Sequence, residues 1–399
     1  MPVIAVTGSA AKTTTVKLLA HLLGGAPRVG VSMYANTAQD VLSEFCACGS
    51  ATDAVVLEAS EFPVGTLQQI ASQLAPTAAV VTVAGLDHYT VFRGAAGAAR
   101  EMATLLRALP GNGFAVLNAD DAALVSCATD LPCRVITFGT QEHADYRAVE
   151  YGVGPAHGLS VVCEHLGARH DLSTPFLGTH FSVATLAAVA AAHELGVEWS
   201  VIRERLATFE PVFGRCSLVA IPGGPLFICD TVKSPAWSVS FACDTLKQFD
   251  TAPRRTLVLG TLADYPGSSR GAYRKAWRAA RPHVDRTIFL RHSPSHVGAR
   301  EEDLASGEAV FLDSVQAITA FLQQWSVPGE AILLKGSYKC DHLDRVAHHF
   351  MEPVTCWQEK CGRGMNCINC EWMRDHTPPL LRPLTKARRK LFGPKRIYG

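Results

Sequence analysis

Val3-Ile-Ala-Val-Thr-Gly-Ser-Ala-Ala-Lys-Thr-Thr-Thr15 is the stretch that decides the predicted fold. An apolar, β-branched run leads through Gly8 to Lys12, and the residues that follow have the apolar spacing of a helix. We predict a strand, a loop and a helix whose first amides face an anion. In such loops the lysine reaches the outer phosphates and the next hydroxyl binds Mg²⁺. The segment therefore predicts a nucleoside triphosphate site made of Gly8, Ser9, Ala10, Ala11, Lys12, Thr13 and Thr14.

The loop departs from the usual spacing, G-x-x-x-x-G-K-[ST]. Gly8 lies only four residues before Lys12, and Ala11 occupies the position of the second glycine. A Cβ fits there only if the backbone keeps a negative φ, so we expect a negative φ at Ala11. The alternative is an ordinary strand, turn and helix with a solvent-exposed lysine.

Two further apolar runs, residues 54–58 and 77–83, lead to side chains suited to the same site. The first ends at Glu58, and the second leads to His88. Buried parallel strands read as continuous apolar runs, and α/β sheets bind ligands at the carboxyl ends of their strands. Oxygen ligands from Thr13 and Glu58 suit a hard divalent ion, and a neutral nitrogen of His88 suits a second. The alternative is a solvent-exposed glutamate and a loop histidine.

Short motifs continue along the chain. In order they are Thr7-Gly-Ser-Ala-Ala-Lys-Thr-Thr14, Glu58-Ala-Ser60, Asp87-His88, Leu117-Asn-Ala-Asp-Asp121, Gly214-Arg215, Asp230-Thr-Val-Lys-Ser-Pro235 and Leu334-Lys-Gly-Ser337. This order resembles the Mur ligase superfamily, which includes the peptidoglycan amino-acid ligases, folylpolyglutamate synthetase and the C-terminal half of cyanophycin synthetase. The resemblance covers about residues 1–350. The last motif looks most like the branch that adds the final dipeptide to the peptidoglycan precursor.

The resemblance implies an ATP-dependent, ADP-forming ligase that joins a carboxylate to an amine through an acyl phosphate. The carboxylate would be a small molecule or be carried on a partner, and the amine would be an amino acid. By the same resemblance, Lys12, His88, Arg215 and Lys233 are catalytic residues, and Arg215 and Asp230 contact the nucleotide. Lys335 and Ser337 are candidate contacts of the amino substrate, with a structural lysine and a turn serine as the alternative.

Two departures from the family pattern leave a second function open. The carbamylated lysine that usually follows Asp-His is absent from residues 94–103, where Glu101 is the candidate replacement for its carboxylate. The His-Asn-x-x-Asn element that meets adenine appears as His180-Phe-Ser-Val-Ala184, so adenine is expected to stack on Phe181 instead. These losses permit a nucleotide-binding or scaffolding protein on the same fold.

Length and composition predict a multidomain α/β protein. The net charge of +1 over 399 residues gives no sign of nucleic-acid binding. Without a secretory pattern or an apolar run long enough for a membrane span, we expect a cytoplasmic protein. The family's first domain, which holds the UDP-sugar precursor, has no counterpart in this pattern, and a partner protein is a candidate replacement.

Three parts are predicted along the chain. They are a P-loop ATPase-type central domain with a mostly parallel sheet and an antiparallel appendage (1–249), a smaller Rossmann-like α/β domain (250–350) and a cysteine-rich tail (351–399). In the second part, predicted strands at 255–260, 285–290, 309–312 and 331–334 alternate with helices near 269–281 and 315–325.

The tail concentrates four of the 13 cysteines, Cys356, Cys361, Cys367 and Cys370. Four thiolates in a tetrahedral array suit a structural Zn²⁺ ion. An iron–sulfur cluster uses the same number of ligands. The alternative is four unrelated thiols, and we predict a structural zinc site.

Overall fold

The computed structural model describes residues 1–25, 28–34, 37–49, 52–85, 89–359, 361–363 and 365–374. The chain divides into two compact units, Met1–Val212 with Asp264–Pro266, and Phe213–Ala263 with the residues from Gly267 onward. This division falls before the boundary predicted at residue 249, because two strands between residues 213 and 249 pair within the second sheet. The described residues after 350 belong to the second unit rather than to a separate part.

Nine strands of the first unit form one sheet. They are β1 (Val3–Thr7), β2 (Val29–Ser32), β3 (Ala54–Glu58), β4 (Ala78–Val81), β5 (Phe114–Asn118), β6 (Arg134–Gly139), β7 (Tyr146–Gly154), β8 (Gly158–His165) and β9 (Ala168–Thr174). Their order is β2-β3-β1-β4-β5-β6-β7-β8-β9. Neighbours from β2 to β7 pair in parallel, whereas β7, β8 and β9 form an antiparallel meander. The carboxyl ends of β1, β3 and β4 therefore lie side by side.

Eight helices accompany this sheet among the described residues. They are α1 (Lys12–Leu22), α2 (Ala38–Cys46), α3 (Thr66–Leu74), α4 (Tyr89–Phe92), α5 (Ala95–Arg107), α6 (Ala122–Cys127), α7 (Ser182–Glu194) and α8 (Trp199–Ala207). The alanine-rich α7 is buried along most of its length and packs against α1. A helix that is apolar on all sides is stable only inside a core. Because α7 packs against α1, it holds the helix that follows the loop in position.

The second unit contains a six-stranded sheet. Its strands are β10 (Ser217–Ala220), β11 (Leu226–Asp230), β12 (Arg255–Leu259), β13 (Arg286–Leu290), β14 (Ala309–Leu312) and β15 (Ala331–Lys335). Their order is β10-β11-β15-β12-β13-β14, and every pair is parallel except β10 with β11. The predicted α/β class with mostly parallel sheets is confirmed.

Helices of the second unit connect these strands. They are α9 (Val239–Leu246), α10 (Ser269–Ala280), α11 (Pro294–Val297), α12 (Glu301–Ala305), α13 (Val315–Trp325) and α14 (Asp344–Met351). Across the part of the chain that the structure describes, no helix has both the length and the apolar character needed to cross a bilayer.

His292, which follows β13, should make the stability of the protein depend on pH. The His292 ring lies 3.9 Å from the Tyr273 ring, measured between centroids. Burial, and then the neighbouring His296, lowers the pKa of His292 from 6.5 to about 4. The unfolded chain therefore takes up this proton at a higher pH than the folded one, so stability decreases as the pH falls from 6.5 to about 4.

We expect His292→Gln to lose less thermal stability than the wild type over this pH window, because its side chain does not titrate. Melting temperatures measured across the window for both proteins test this. Parallel curves for the two proteins would contradict it.

Candidate functional site

The predicted strand, loop and helix are present at the start of the chain. Every residue of β1 is buried, and α1 begins at Lys12 directly after the loop. Gly8 has a φ of 137°, and a Cβ at this position would lie 2.1 Å from Oγ1 of Thr82. Only glycine therefore lets the loop pass so close to the chain that follows β4.

Three hydrogen bonds fasten the loop to that neighbouring segment. The Ser9 N–H donates to the Val83 carbonyl at 2.7 Å, and the Thr82 hydroxyl donates to the Ala10 carbonyl at 2.6 Å. The Gly85 N–H donates to the Ser9 hydroxyl oxygen at 2.9 Å. These hydrogen bonds fix the path of the loop between β1 and α1.

The backbone at Ala11 differs from the prediction. Its φ is 65°, so the expected negative φ is wrong. The left-handed region costs a residue with a Cβ roughly 1–2 kcal/mol. The anchored residues before Ala11 and the start of α1 after it hold this conformation, since the Ala11 carbonyl accepts the helical hydrogen bond from Thr15 N–H at 2.9 Å.

We expect Ala11→Gly to raise the free energy of unfolding by up to about 1 kcal/mol. Relief of roughly 1–2 kcal/mol of left-handed strain exceeds the roughly 0.4–1 kcal/mol that the greater freedom of glycine in the unfolded chain costs. Urea denaturation measures the difference. Ala10→Gly is the matched control: Ala10 is not left-handed, so that variant should be less stable than the wild type. A loss of stability in Ala11→Gly would contradict the explanation.

Two carboxylates contact the lysine and the hydroxyl of the loop. Oγ1 of Thr13 lies 3.0 Å from each carboxylate oxygen of Glu58. The Tyr34 N–H also donates to Glu58, at 3.1 Å. Nζ of Lys12 donates to Glu61 at 3.0 Å. The structure therefore brings Lys12, Thr13 and Glu58 together, as the sequence predicted.

Thr13 and Glu58 are an oxygen pair suited to Mg²⁺. Both side chains are buried and already in contact, so one hard cation would bind between them, with the Thr13 hydroxyl keeping its proton and turning it away from Glu58. Magnesium bound to a nucleotide commonly needs only one or two protein carboxylates, with phosphates and water completing its shell. Asp87 and His88 lie outside the described residues, and the second Mg²⁺ at His88 stays a prediction.

Glu61 is a site residue that the sequence prediction missed. The signal was present, because a second carboxylate follows Glu58 by three residues at the end of the same strand. Glu61 is fully buried, and its Oε1 atom has no hydrogen-bond partner in the described part of the structure.

Two predicted replacements, Glu101 and Phe181, make contacts within the fold. Oε1 of Glu101, on α5, accepts a hydrogen bond from the Gly65 N–H at 2.8 Å, directly before α3. Phe181 is 7% exposed and stacks on Phe176, with 4.5 Å between centroids and 4° between ring planes. A platform for adenine needs an accessible face, so this packing gives no support to stacking on Phe181.

Predicted residues of the second unit gather near the end of β11. Asp230 accepts a hydrogen bond from Nζ of Lys335 at 2.6 Å, and the same ammonium donates to the Lys233 carbonyl at 3.2 Å. Lys335 is only 1% exposed, which favours its structural role over contact with a substrate. Nε of Arg215 is buried and lacks a hydrogen-bond partner among the residues described. The nucleotide contacts of Arg215, Asp230 and Lys233 stay predictions.

Asp341 is a second residue that the motifs did not reveal. Its carboxylate accepts hydrogen bonds from the N–H and the hydroxyl of Thr261, both at 2.7 Å, and from the Ser337 N–H at 3.0 Å. Arg291 donates to it at 2.9 Å. One buried carboxylate therefore connects the chain segments that follow β12, β13 and β15, and Ser337 contributes through its backbone.

The tail cysteines do not gather around one point. Cys361 and Cys367 lie near different nitrogens of the His342 ring, at 3.6 and 3.4 Å, and Cys370 accepts a hydrogen bond from Arg363 at 3.4 Å. Burial raises the pKa of Cys367 to about 12. The described residues, which include all four thiols, contain no group of three or more His, Cys, Asp or Glu side chains placed to hold a metal. The structure thus gives no support to zinc or an iron–sulfur cluster.

Hydrogen bonds attach this segment to α14. Arg345 donates to Sγ of Cys367 at 3.1 Å, and the Cys367 N–H donates to Asp344 at 2.8 Å. The described tail therefore packs on the second unit through ordinary polar contacts.

Comparison with known proteins agrees with this geometry. The family model of the Mur ligase middle domain matches residues 6–192. A UDP-N-acetylmuramoyl-tripeptide–D-alanyl-D-alanine ligase from Escherichia coli (strain K12) is 24% identical over 368 residues, which are 89% of this chain and 78% of that protein. Residues 6–192 thus match the Mur ligase middle domain, and the chain is similar to a Mur ligase over most of its length.

Solved Mur ligase structures share the fold. MurF from Acinetobacter baumannii has a TM-score of 0.76 at 22% identity, over 88% of this chain and 76% of that one. MurF from Thermotoga maritima, solved in complex with ADP, has a TM-score of 0.75 at 18% identity, over 88% of this chain and 80% of that one. At these identities the likeness concerns the fold alone.

Other Mur ligase relatives match a shorter part. A UDP-N-acetylmuramate–L-alanine ligase from Cereibacter sphaeroides is 33% identical over 247 residues, which are 58% of this chain and 49% of that protein. The chain thus spans about half the length of several relatives.

Proposed function

We propose that this protein is an ATP-dependent, ADP-forming ligase that joins a carboxylate to an amine through an acyl phosphate. The observation that carries the proposal is the contact of Thr13 with Glu58 beside Lys12, at the carboxyl ends of β1 and β3 in a Mur ligase fold. These groups supply what phosphoryl transfer needs, which is fixed phosphates and neutralised charge.

Each residue of the site has a proposed role. Lys12 brings a positive charge to the outer phosphates, and the backbone amides of the Gly8 loop donate to phosphate oxygens. Thr13 and Glu58 would hold Mg²⁺, which offsets charge on the phosphates when bound. Arg215, whose buried Nε lacks a partner among the described residues, is proposed as the cation at the γ-phosphate.

The reaction proceeds in two balanced steps. An oxygen of the acceptor carboxylate attacks the γ-phosphorus, the bond from that phosphorus to the bridging oxygen breaks, and ADP leaves. The nitrogen of the amine then attacks the acyl carbon, phosphate leaves, and the nitrogen loses a proton.

Names of the relatives suggest which substrates to try first. They describe UDP-N-acetylmuramate and UDP-N-acetylmuramoyl peptides joined to amino acids or to D-alanyl-D-alanine. For this chain we propose a small or carrier-borne carboxylate as acceptor and an amino acid as amine.

Release of ADP and phosphate tests the proposal. Purified protein with Mg²⁺ and ATP is screened against pairs of carboxylates and amino acids. We expect ADP only when both substrates are present, together with a product whose mass is their sum less one water.

A nucleotide-binding or scaffolding protein is the second candidate, because the usual lysine and adenine-contacting amides are missing from the sequence. It predicts a rise in melting temperature with Mg²⁺ and ATP but no ADP from any pair. That combination would replace the ligase proposal.

A further inference from the structure

A buried ion pair occupies the phosphate-loop lysine. Nζ of Lys12 lies 3.0 Å from Oε2 of Glu61 and also donates to the Gly8 carbonyl. The Lys12 side chain is 15% exposed, whereas that of Glu61 is completely buried. A lysine ammonium is one compact charge. When it turns to the outer phosphates of ATP, it leaves Glu61.

Departure of Lys12 would leave Glu61 as an uncompensated buried carboxylate. Breaking a buried ion pair by removing one partner is strongly unfavourable, and nearby phosphates add further negative charge. Oε1 of Glu61 has no hydrogen-bond partner within the described ranges, so no described donor takes the place of Lys12. Binding of ATP therefore favours a positive charge at Glu61, brought by a cation or by a proton.

We propose that Glu61 binds a divalent cation when Lys12 moves to the phosphates, so that one cation replaces another at the same carboxylate. The inference rests on the proposed ATP site. A carboxylate with an unused oxygen, next to phosphates, presents the hard oxygen ligands that Mg²⁺ and Mn²⁺ prefer. Glu58, three residues earlier, holds the first cation with Thr13, and Glu61 adds a second.

Glu61 is better placed for this role than Glu101. Oε1 of Glu101 already accepts the Gly65 N–H before α3, and neither of its oxygens is buried without a partner in the described structure. Among the described residues, Glu61 is paired only with the lysine that we propose moves to the nucleotide. The role that the sequence analysis gave to Glu101, replacing the carboxylate of the carbamylated lysine, is therefore reassigned to Glu61.

Counting bound Mn²⁺ tests the inference. Wild type, Glu61→Gln and Glu101→Gln are saturated with a non-hydrolysable ATP analogue, and free Mn²⁺ is measured by electron paramagnetic resonance. We expect two bound Mn²⁺ ions per chain in the wild type and in Glu101→Gln, but one in Glu61→Gln. Thermal unfolding without nucleotide establishes that each variant is folded.

Other outcomes separate this inference from the proposed function. Equal Mn²⁺ counts in the wild type and Glu61→Gln overturn it, as does a wild type that binds the analogue with a single Mn²⁺ ion. Glu61→Gln could instead bind the analogue more tightly than the wild type in the presence of a metal chelator, while its Mn²⁺ count is unchanged. That result would overturn the inference and show that Glu61 only competes with the nucleotide for Lys12. A wild type that does not bind the analogue refutes the ATP site itself, and the inference falls with it.

Discussion

Lys12→Ala should weaken binding of the Mg²⁺ complex of ATP by roughly two to three orders of magnitude. Truncating one partner of a buried, hydrogen-bonded charge pair commonly costs roughly 2–5 kcal/mol, and each 1.4 kcal/mol is about tenfold in affinity. No second lysine or arginine lies in the loop of residues 8–14. Calorimetry with a non-hydrolysable ATP analogue measures the loss.

The matched control for this prediction is on the same helix. Lys17, one turn further along α1, donates to the Glu210 carbonyl at 2.8 Å, away from the loop. Lys17→Ala should bind the analogue as the wild type does. Because Lys12→Ala also leaves Glu61 unpaired, circular dichroism must establish that it is folded. Unchanged affinity in folded Lys12→Ala would show that the nucleotide binds elsewhere.

Lys335→Met should lower the free energy of unfolding of the second unit by about 3–5 kcal/mol. Nζ of Lys335 and a carboxylate oxygen of Asp230 are 2.6 Å apart on paired strands, and both side chains are largely shielded from water. Loss of one partner leaves the other as a buried, uncompensated charge, which is costly. Urea denaturation, followed by a probe in this unit, measures the effect.

Two comparisons make this result specific. In the double variant Lys335→Met with Asp230→Asn, no buried charge is left, so most of the stability should return. Lys247 and Asp244 form an ion pair on the surface, with side chains 48% and 44% exposed, and Lys247→Met should change stability by less than about 1 kcal/mol. A small effect of Lys335→Met would mean that the pair is not the structural element we describe.

Continuous apolar runs allowed much of the fold to be predicted. The predicted strand at 285–290 is β13, Arg286–Leu290, and the predicted strand at 309–312 is β14, Ala309–Leu312. Such runs can be recognised in a sequence because helices cover both faces of a parallel strand, so that nearly all of its residues are apolar. The proximity of Thr13 to Glu58 followed from the same property, since neighbouring parallel strands end at one edge.

Contacts between distant residues could not be read from local patterns. Asp230 and Lys335 are 105 positions apart, and nothing in either motif marks them as partners. The left-handed backbone of Ala11 depends on hydrogen bonds from the loop to the segment after β4, which outweigh its own preference. The spacing of the tail cysteines suggested zinc, but spacing does not determine where side chains point once His342 and Arg345 are packed among them.

The position of β1 has a consequence for synthesis on the ribosome. Both neighbours of this strand come later in the chain, since Val3 pairs with Val55 and Ile4 with Ala78. The hydrogen bond from the Ser9 N–H to the Val83 carbonyl can form only after Val83 has been synthesised. Nascent chains that stop before residue 83 therefore lack the contacts that shape the loop, whereas the hairpin of β7 and β8 can close as soon as its own residues are exposed.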